Sequence, residues 1–252
     1  MPYELPSDAP VTFPTQDRLE YGLLLSIIAH AISTLPSERV HDEYHWRGSV
    51  LEILDYNETS GCICWNHDLV VGAFFCCESE HSPFGEDPVP PYDAEEFFAA
   101  APPDVRVIAR EKLLLEFVSW VGDPVEIDTA FINGTTDQLD DTYFVPVITA
   151  AFWSEGDVLT SGKPWTDVYR NGAYLLRHEF LEAEQALAEW ENGMQLLPDQ
   201  VALARQLYER RLHCEALPMR LTETEYAQLI AHGVAQLEPV RELLHGIAIE
   251  LP

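Results

Sequence analysis

Apolar residues at Leu19, Leu23, Leu24, Ile27, Ile28, Ala31, Ile32 and Leu35 recur at helical spacing, so the pattern predicts a helix from Asp17 to about Leu35, stopped by Pro36. Its apolar residues are spread widely enough that it is expected to bury most of its circumference. Ser26, His30 and Ser33 interrupt them. The pattern then changes period. Tyr44 to Tyr56 reads as a strand pair or one long strand. Residues 61–77 hold two runs rich in β-branched, aromatic and cysteine residues on either side of Asn66-His67-Asp68, the form of a hairpin.

The stretch from Glu78 to Tyr92 carries Pro83, Pro88, Pro90 and Pro91, too many for ladder hydrogen bonds, and reads as a loop. Asp93 caps a short helix to Ala101, and Asp104 opens a longer one to Val121, closed by Gly122 and Pro124. Strands are predicted over Val125 to Ile132 and Thr142 to Trp153, the second at an edge or bulge because of Pro146. Helices follow at 173–191, 198–216 and 222–237, with a short one from Pro239 to about Leu244. Thr222 and Glu225 have capping-box spacing.

Strands first and helices last indicate an α+β fold. The expectation is an antiparallel sheet from the first two thirds with the helical C-terminal third packed against it. Residues 1–252 are read as one domain. A sub-boundary near 170 stays open, dividing mixed sheet and helix (1–170) from a helical remainder (171–252).

Composition adds a strong constraint. The chain has 43 acidic and 14 basic residues, a formal charge of −29, and only two of the bases, Lys112 and Lys163, are lysines. Residues 1–100 hold 18 of the acids against Arg18, Arg39 and Arg47. Such a charge repels phosphate backbones and anionic lipid, which argues against direct nucleic-acid or membrane binding and for a cationic partner. The cysteines, Cys62, Cys64, Cys76, Cys77 and Cys214, are odd in number and mostly clustered, unlike a secreted disulfide framework. The first residues lack the basic-then-apolar plan of a signal peptide, and the apolar stretch from Tyr21 to Leu35 is too short to span a bilayer. The expected location is the cytoplasm.

Candidate chemistry is sparse. Cys62 and Cys64 on one strand with adjacent Cys76 and Cys77 do not converge as a zinc tetrad, so they read as small core residues. His41 and His45, four apart, would need His67 or His81 to hold a transition metal, and surface histidines explain them more simply. His178, Glu179 and Glu182 have the look of half a bundle metal site, but no second Glu-x-x-His exists, so the acids are expected to favour a helix N-terminus in water. No nucleophile elbow, Walker-type loop or Gly-x-Gly-x-x-Gly occurs, and no cofactor or metal is expected.

Aromatic residues set among acids carry the functional expectation. Tyr44 and Trp46 beside Asp42 and Glu43, and Phe84 and Tyr92 within the loop bearing Glu78, Glu80, Glu86 and Asp87, form a candidate partner surface. Trp153 and Trp165 near Glu155 and Asp157 are expected to be exposed in the same way. Small, acidic, motif-poor and α+β, the chain is similar in properties to bacterial immunity and antitoxin proteins. That likeness implies a non-catalytic protein that occludes a basic partner, such as a toxin or nuclease. The alternative is an enzyme or a metal- or small-ligand-binding protein, its site assembled from His41, His45, His67 and Cys77 near the 61–77 hairpin. DNA mimicry would need regularly spaced acids on one face, which the sequence lacks.

Overall fold

A computed structural model describes residues 12–36, 44–55, 59–66, 68–84, 93–120, 144–193 and 196–252. In chain order, helix α1 (Gln16–Thr34) precedes strands β1 (Tyr44–Arg47), β2 (Val50–Leu54), β3 (Thr59–Asn66) and β4 (Leu69–Cys76). Helix α2 (Pro103–Ile108) is followed by β5 (Val118–Trp120), β6 (Phe144–Pro146), β7 (Ala150–Glu155), β8 (Val158–Thr160) and helix α3 (Trp165–Arg170). Then come α4 (Ala183–Gly193), α5 (Pro198–Leu212), β9 (Met219–Arg220), α6 (Glu223–Ala231), α7 (Leu237–Gly246) and β10 (Ile249–Glu250). The fold is α+β. Six antiparallel strands, β1 to β4 with β7 and β8, lie between residues 44 and 160, and the helices are largely C-terminal. No helix among the described residues is long and apolar enough to cross a membrane.

Two compact units share the chain. One runs over Asp55–Leu175 and takes in Phe13; the other combines Pro14–Leu54 with Leu176–Pro252. They are called here the sheet unit and the helical unit.

In the sheet unit the expected hairpin is present, with Cys62 opposite Ala73 and Thr59 opposite Cys76. Strand β4 pairs next with β7, Ala73 opposite Ala151, and β7 turns into β8. Cys62, Cys64 and Cys76 are buried as free thiols, the small core residues the pattern implied. Gly72 leaves the space that the ring of Phe152 fills, since a Cβ there would meet that ring at 2.6 Å. Trp153 and Trp165 are each 2% exposed, so the expectation that they reach the surface is corrected. Their strand and helix positions point into a core with Phe74, Phe98 and Phe152, where such large rings return the most burial.

Two elements differ from the pattern. The predicted helix to Val121 is regular only to Ile108 and continues as wider and tighter turns to Phe117. The β-rich run from Val118 then leaves it to pair with β6, Val118 opposite Pro146. The strand predicted over 142–153 is two strands: after Pro146 the chain crosses from β5 to β4, with the Val147 amide on Phe117 O and the Thr149 amide on Phe74 O. The strand expected at 125–132 lies outside the described residues.

The helical unit is organised by α1, whose N-cap Thr15 accepts from the Arg18 amide at 3.2 Å. From Gly22 to Ile32 every residue of α1 is buried, as an all-round apolar helix requires. Helices α4, α5 and α7 pack around it, and α7 also packs on β1. Ala29, Trp190 and Leu196 form one buried contact with Tyr44 and Val201 against it. The capping box at Thr222 and Glu225 is present. The helix expected over 173–191 is interrupted: a tight turn covers Ala173–Leu176 and regular helix resumes only at Ala183. The cause lies in the intervening residues. Arg18 Nε donates to Phe180 O at 3.2 Å, and the Glu179 backbone lies on Gly22 of α1 so closely that a Cβ at position 22 would stand 2.5 Å from Glu179 Cα.

Candidate functional site

Along α1, Gly22, Ser26, His30 and Thr34 fall four residues apart and so share one face, a polar seam in an otherwise apolar helix. All four are buried. The absent side chain at Gly22 lets the 178–182 segment lie against the helix, and that approach carries the Glu179 side chain inward. Glu179 is 0% exposed. Tyr44, on β1, donates its phenol proton to Glu179 Oε1 at 2.7 Å. Glu179 Oε2 has no hydrogen-bond partner among the described residues, and neither has Ser26 Oγ.

Burial pushes the Glu179 carboxyl above its ordinary value. The Tyr44 phenol, the residue's own backbone amide, the nearby Ser26 hydroxyl and the Arg177 charge pull it down without cancelling that effect. The Ser26 hydroxyl is near enough to favour the charged form but does not meet hydrogen-bond geometry. Among the described acids only one other is buried, Glu225, and its situation is the reverse. Burial raises it too, but the Thr222 amide and hydroxyl together with Arg210 hold it below the usual carboxylate range. Glu225 is a structural acid with its charge matched. Glu179 is not.

Rings continue the seam. His178 lies 5.6 Å from Trp190, Trp190 lies 6.5 Å from His30, and His30 lies 5.1 Å from Tyr44, each tilted or edge-on. Arg177 Nε donates to His178 Nε2 at 2.7 Å. At the Tyr44 end the helical unit opens into a cavity of about 180 Å³ lined by His30, Thr34, Tyr44, His45, Trp46 and Glu242, with apolar residues of α7 beside them. Trp46 is wedged against Gly246, where a Cβ would come within 2.5 Å of the indole Cε2.

This arrangement corrects one expectation. Glu179 does not sit in water at a helix start, and His178 and Glu182 do not share a helical turn, because the chain is not helical between them. The sequence marked Ser26 and His30 as interruptions without pairing them with anything. Glu179 stood out only beside His178 and Glu182, as a helix-start acid, and nothing local in the sequence pointed to its burial against Gly22 and Ser26.

The residues expected to form a partner surface divide between the units. Tyr44 and Trp46 belong to the helical unit and are half-buried, turned toward Glu179 and Gly246. Glu78, Glu80 and Phe84 belong to the sheet unit and are exposed, with the Phe84 ring edge-on to Phe75 at 5.8 Å. Asp42, Glu43, Glu86, Asp87 and Tyr92 lie outside the described residues, as do His41 and His67. His45 and Cys77 fall in different units. In the sheet unit Glu80, His81 and Asp167 bring one ligand atom each within 4.8 Å of one another, which is spacing that could hold a metal ion. The 3.4 Å contact of His81 Nε2 with Asp167 accounts for the arrangement without one.

Comparison with protein-family models, with curated proteins and with solved structures finds no match to this chain.

Proposed function

We propose that the chain is a non-catalytic docking protein that covers a basic surface of a partner protein, of the kind found in the phosphate-binding cleft of a toxin or nuclease. One observation carries this reading: among the described residues, most arginines are engaged by the chain's own glutamates, while most acids face water. Seven arginines are held in ion pairs with glutamates of the same unit, among them Arg18 with Glu182, Arg110 with Glu95 and Arg205 with Glu184. All described acids other than Glu179 and Glu225 reach water. The excess of acids over bases among the described residues is therefore available at the surface, where it accelerates encounter with a cation-rich protein and penalises anionic competitors. Glu78 and Glu80 beside the exposed ring of Phe84 are the described residues best suited to such a contact, an aromatic anchor with charge around it.

The test is salt dependence. Full-length chain immobilised and challenged with host extract at low salt should retain a basic protein. Its association rate should fall on the order of tenfold between about 0.05 and about 0.5 M salt. Glu78→Gln with Glu80→Gln should slow association several-fold. Retention of no basic protein, or a complex indifferent to ionic strength, would sink the reading.

A further inference from the structure

The cavity of the helical unit is lined by side chains of α1, β1 and α7. About 180 Å³ is too small for a drug-sized ligand and ample for a small organic molecule. Two of its walls are aromatic, and both are held in place before any ligand arrives. Tyr44 is pinned by its bond to Glu179, and Trp46 by the close approach of Gly246. Rings fixed in this way lose no rotamer freedom when a ligand binds, so less of the interaction is spent on ordering.

The electrostatics choose the ligand's sign. Glu242 lies in the lining and no lysine or arginine does. Tyrosine and tryptophan faces attract cations through their ring quadrupoles. The phenol of Tyr44 donates to a carboxyl, which polarises the ring oxygen and makes its face more negative. An anion would meet Glu242 and two electron-rich rings, with only the ionisable imidazoles of His30 and His45 to set against them. A neutral molecule would gain from the two rings and from Pro239, Val240 and Leu243 but would leave Glu242 without a counter-charge.

We propose that this cavity binds a small organic ammonium ion, an alkyl- or arylalkylamine, with its charged nitrogen toward Glu242 and its apolar body between Tyr44 and Trp46. The site is independent of the docking reading: its lining residues lie in the helical unit, and Glu78, Glu80 and Phe84 do not.

Phenethylammonium, 2-phenylethanol and 3-phenylpropionate share a shape and differ in charge. Calorimetric titration of the full chain should show saturable one-to-one binding of the amine. The alcohol should bind about tenfold more weakly and the acid not at all. Glu242 is exposed, so Glu242→Gln leaves the fold intact; it should weaken the amine about fivefold and leave the alcohol unchanged. Trp46→Leu should abolish amine binding, and circular dichroism reports whether that variant keeps its fold. Glu78→Gln with Glu80→Gln should leave amine binding unaltered. Equal affinity for amine and alcohol, indifference to Glu242→Gln, or unsaturable uptake that the Glu78 and Glu80 changes reduce just as much would each overturn the proposal. The last outcome identifies mere counterion condensation on an acidic surface. Absence of saturation by about 10 mM amine overturns it too, because a preformed aromatic site should bind in the millimolar range or tighter.

Discussion

Buried polar groups that brace the fold in one unit can be set beside buried polar groups that do not in the other. In the sheet unit, the buried side chains of Thr149, Ser154 and Asn171 are all hydrogen-bonded. Thr149 Oγ1 accepts from the Cys76 amide at 2.9 Å and donates to Asn171 O at 2.6 Å. Ser154 Oγ accepts from the Val70 amide at 2.9 Å, and Asn171 is held through both ends of its amide by Ser79 and Asp167. These groups brace the places where β7 and the following loop meet β4. In the helical unit, Ser26 Oγ, Glu179 Oε2 and Trp190 Nε1 have no hydrogen-bond partner among the described residues. A buried polar atom left so costs about 1–3 kcal/mol that packing alone does not return. The first kind of polarity is explained by the fold it supports. The second is not, and it leads along the seam to the cavity at Tyr44.

Two substitutions press on this contrast, the larger effect first. Gly22→Ala places a methyl 2.5 Å from the backbone Cα and carbonyl carbon of Glu179, and backbone cannot turn aside as a flexible side chain can. The 178–182 segment has to move away from α1, and the expected cost is about 3 kcal/mol, at the upper end for an overpacked core. Chemical denaturation measures it. A loss under about 0.5 kcal/mol would mean the segment does not rest on the helix and that the seam is not closed. Thr149→Val keeps the shape and removes the hydroxyl. The Cys76 amide and Asn171 carbonyl are then buried without that partner, for a loss of about 2 kcal/mol. If the valine variant is as stable as the parent, the claim that the sheet unit's polar groups are structural braces fails.

How much of this was legible beforehand follows from where the physics is local. Helix α1 declared itself by period, cap and stop, and the hairpin of β3 and β4 by two β-rich runs about a polar turn. The Thr222 capping box was readable because all its parts lie within four residues. The acids beside Trp153 and Trp165 in sequence suggest water, whereas strand alternation and a helix start turn the rings inward. The break between Leu176 and Ala183 was invisible for a different reason: it depends on Arg18 and Gly22, far away in the chain, competing for that backbone. The seam itself was half visible. Ser26 and His30 stood out within an apolar helix, but their partners, Glu179 and Tyr44, are brought to them only by tertiary packing, and no spacing rule reaches across that distance.

The smallest effect is a dependence on pH, and it isolates Glu179. Its carboxyl holds its proton to higher pH in the folded chain than in the unfolded one, because burial disfavours the charge. Between the unfolded value of about 4.3 and the raised folded value, the native state binds more protons than the unfolded state. Stability therefore falls as pH rises through that window, with a slope of at most about 1.4 kcal/mol per pH unit, and above it the loss is complete. Glu225 has the opposite sign: its lowered value makes a contribution that is lost as pH falls. Comparing the parent with Glu179→Gln removes that term, since both proteins carry Glu225 alike. Glutamine still accepts from the Tyr44 phenol but cannot ionise. The difference in unfolding free energy should drift against the parent as pH rises from about 4 toward neutrality. A flat difference, or one that drifts in the parent's favour, would show the carboxyl to be hydrated in solution, and the contrast between the two units would lose its firmest member.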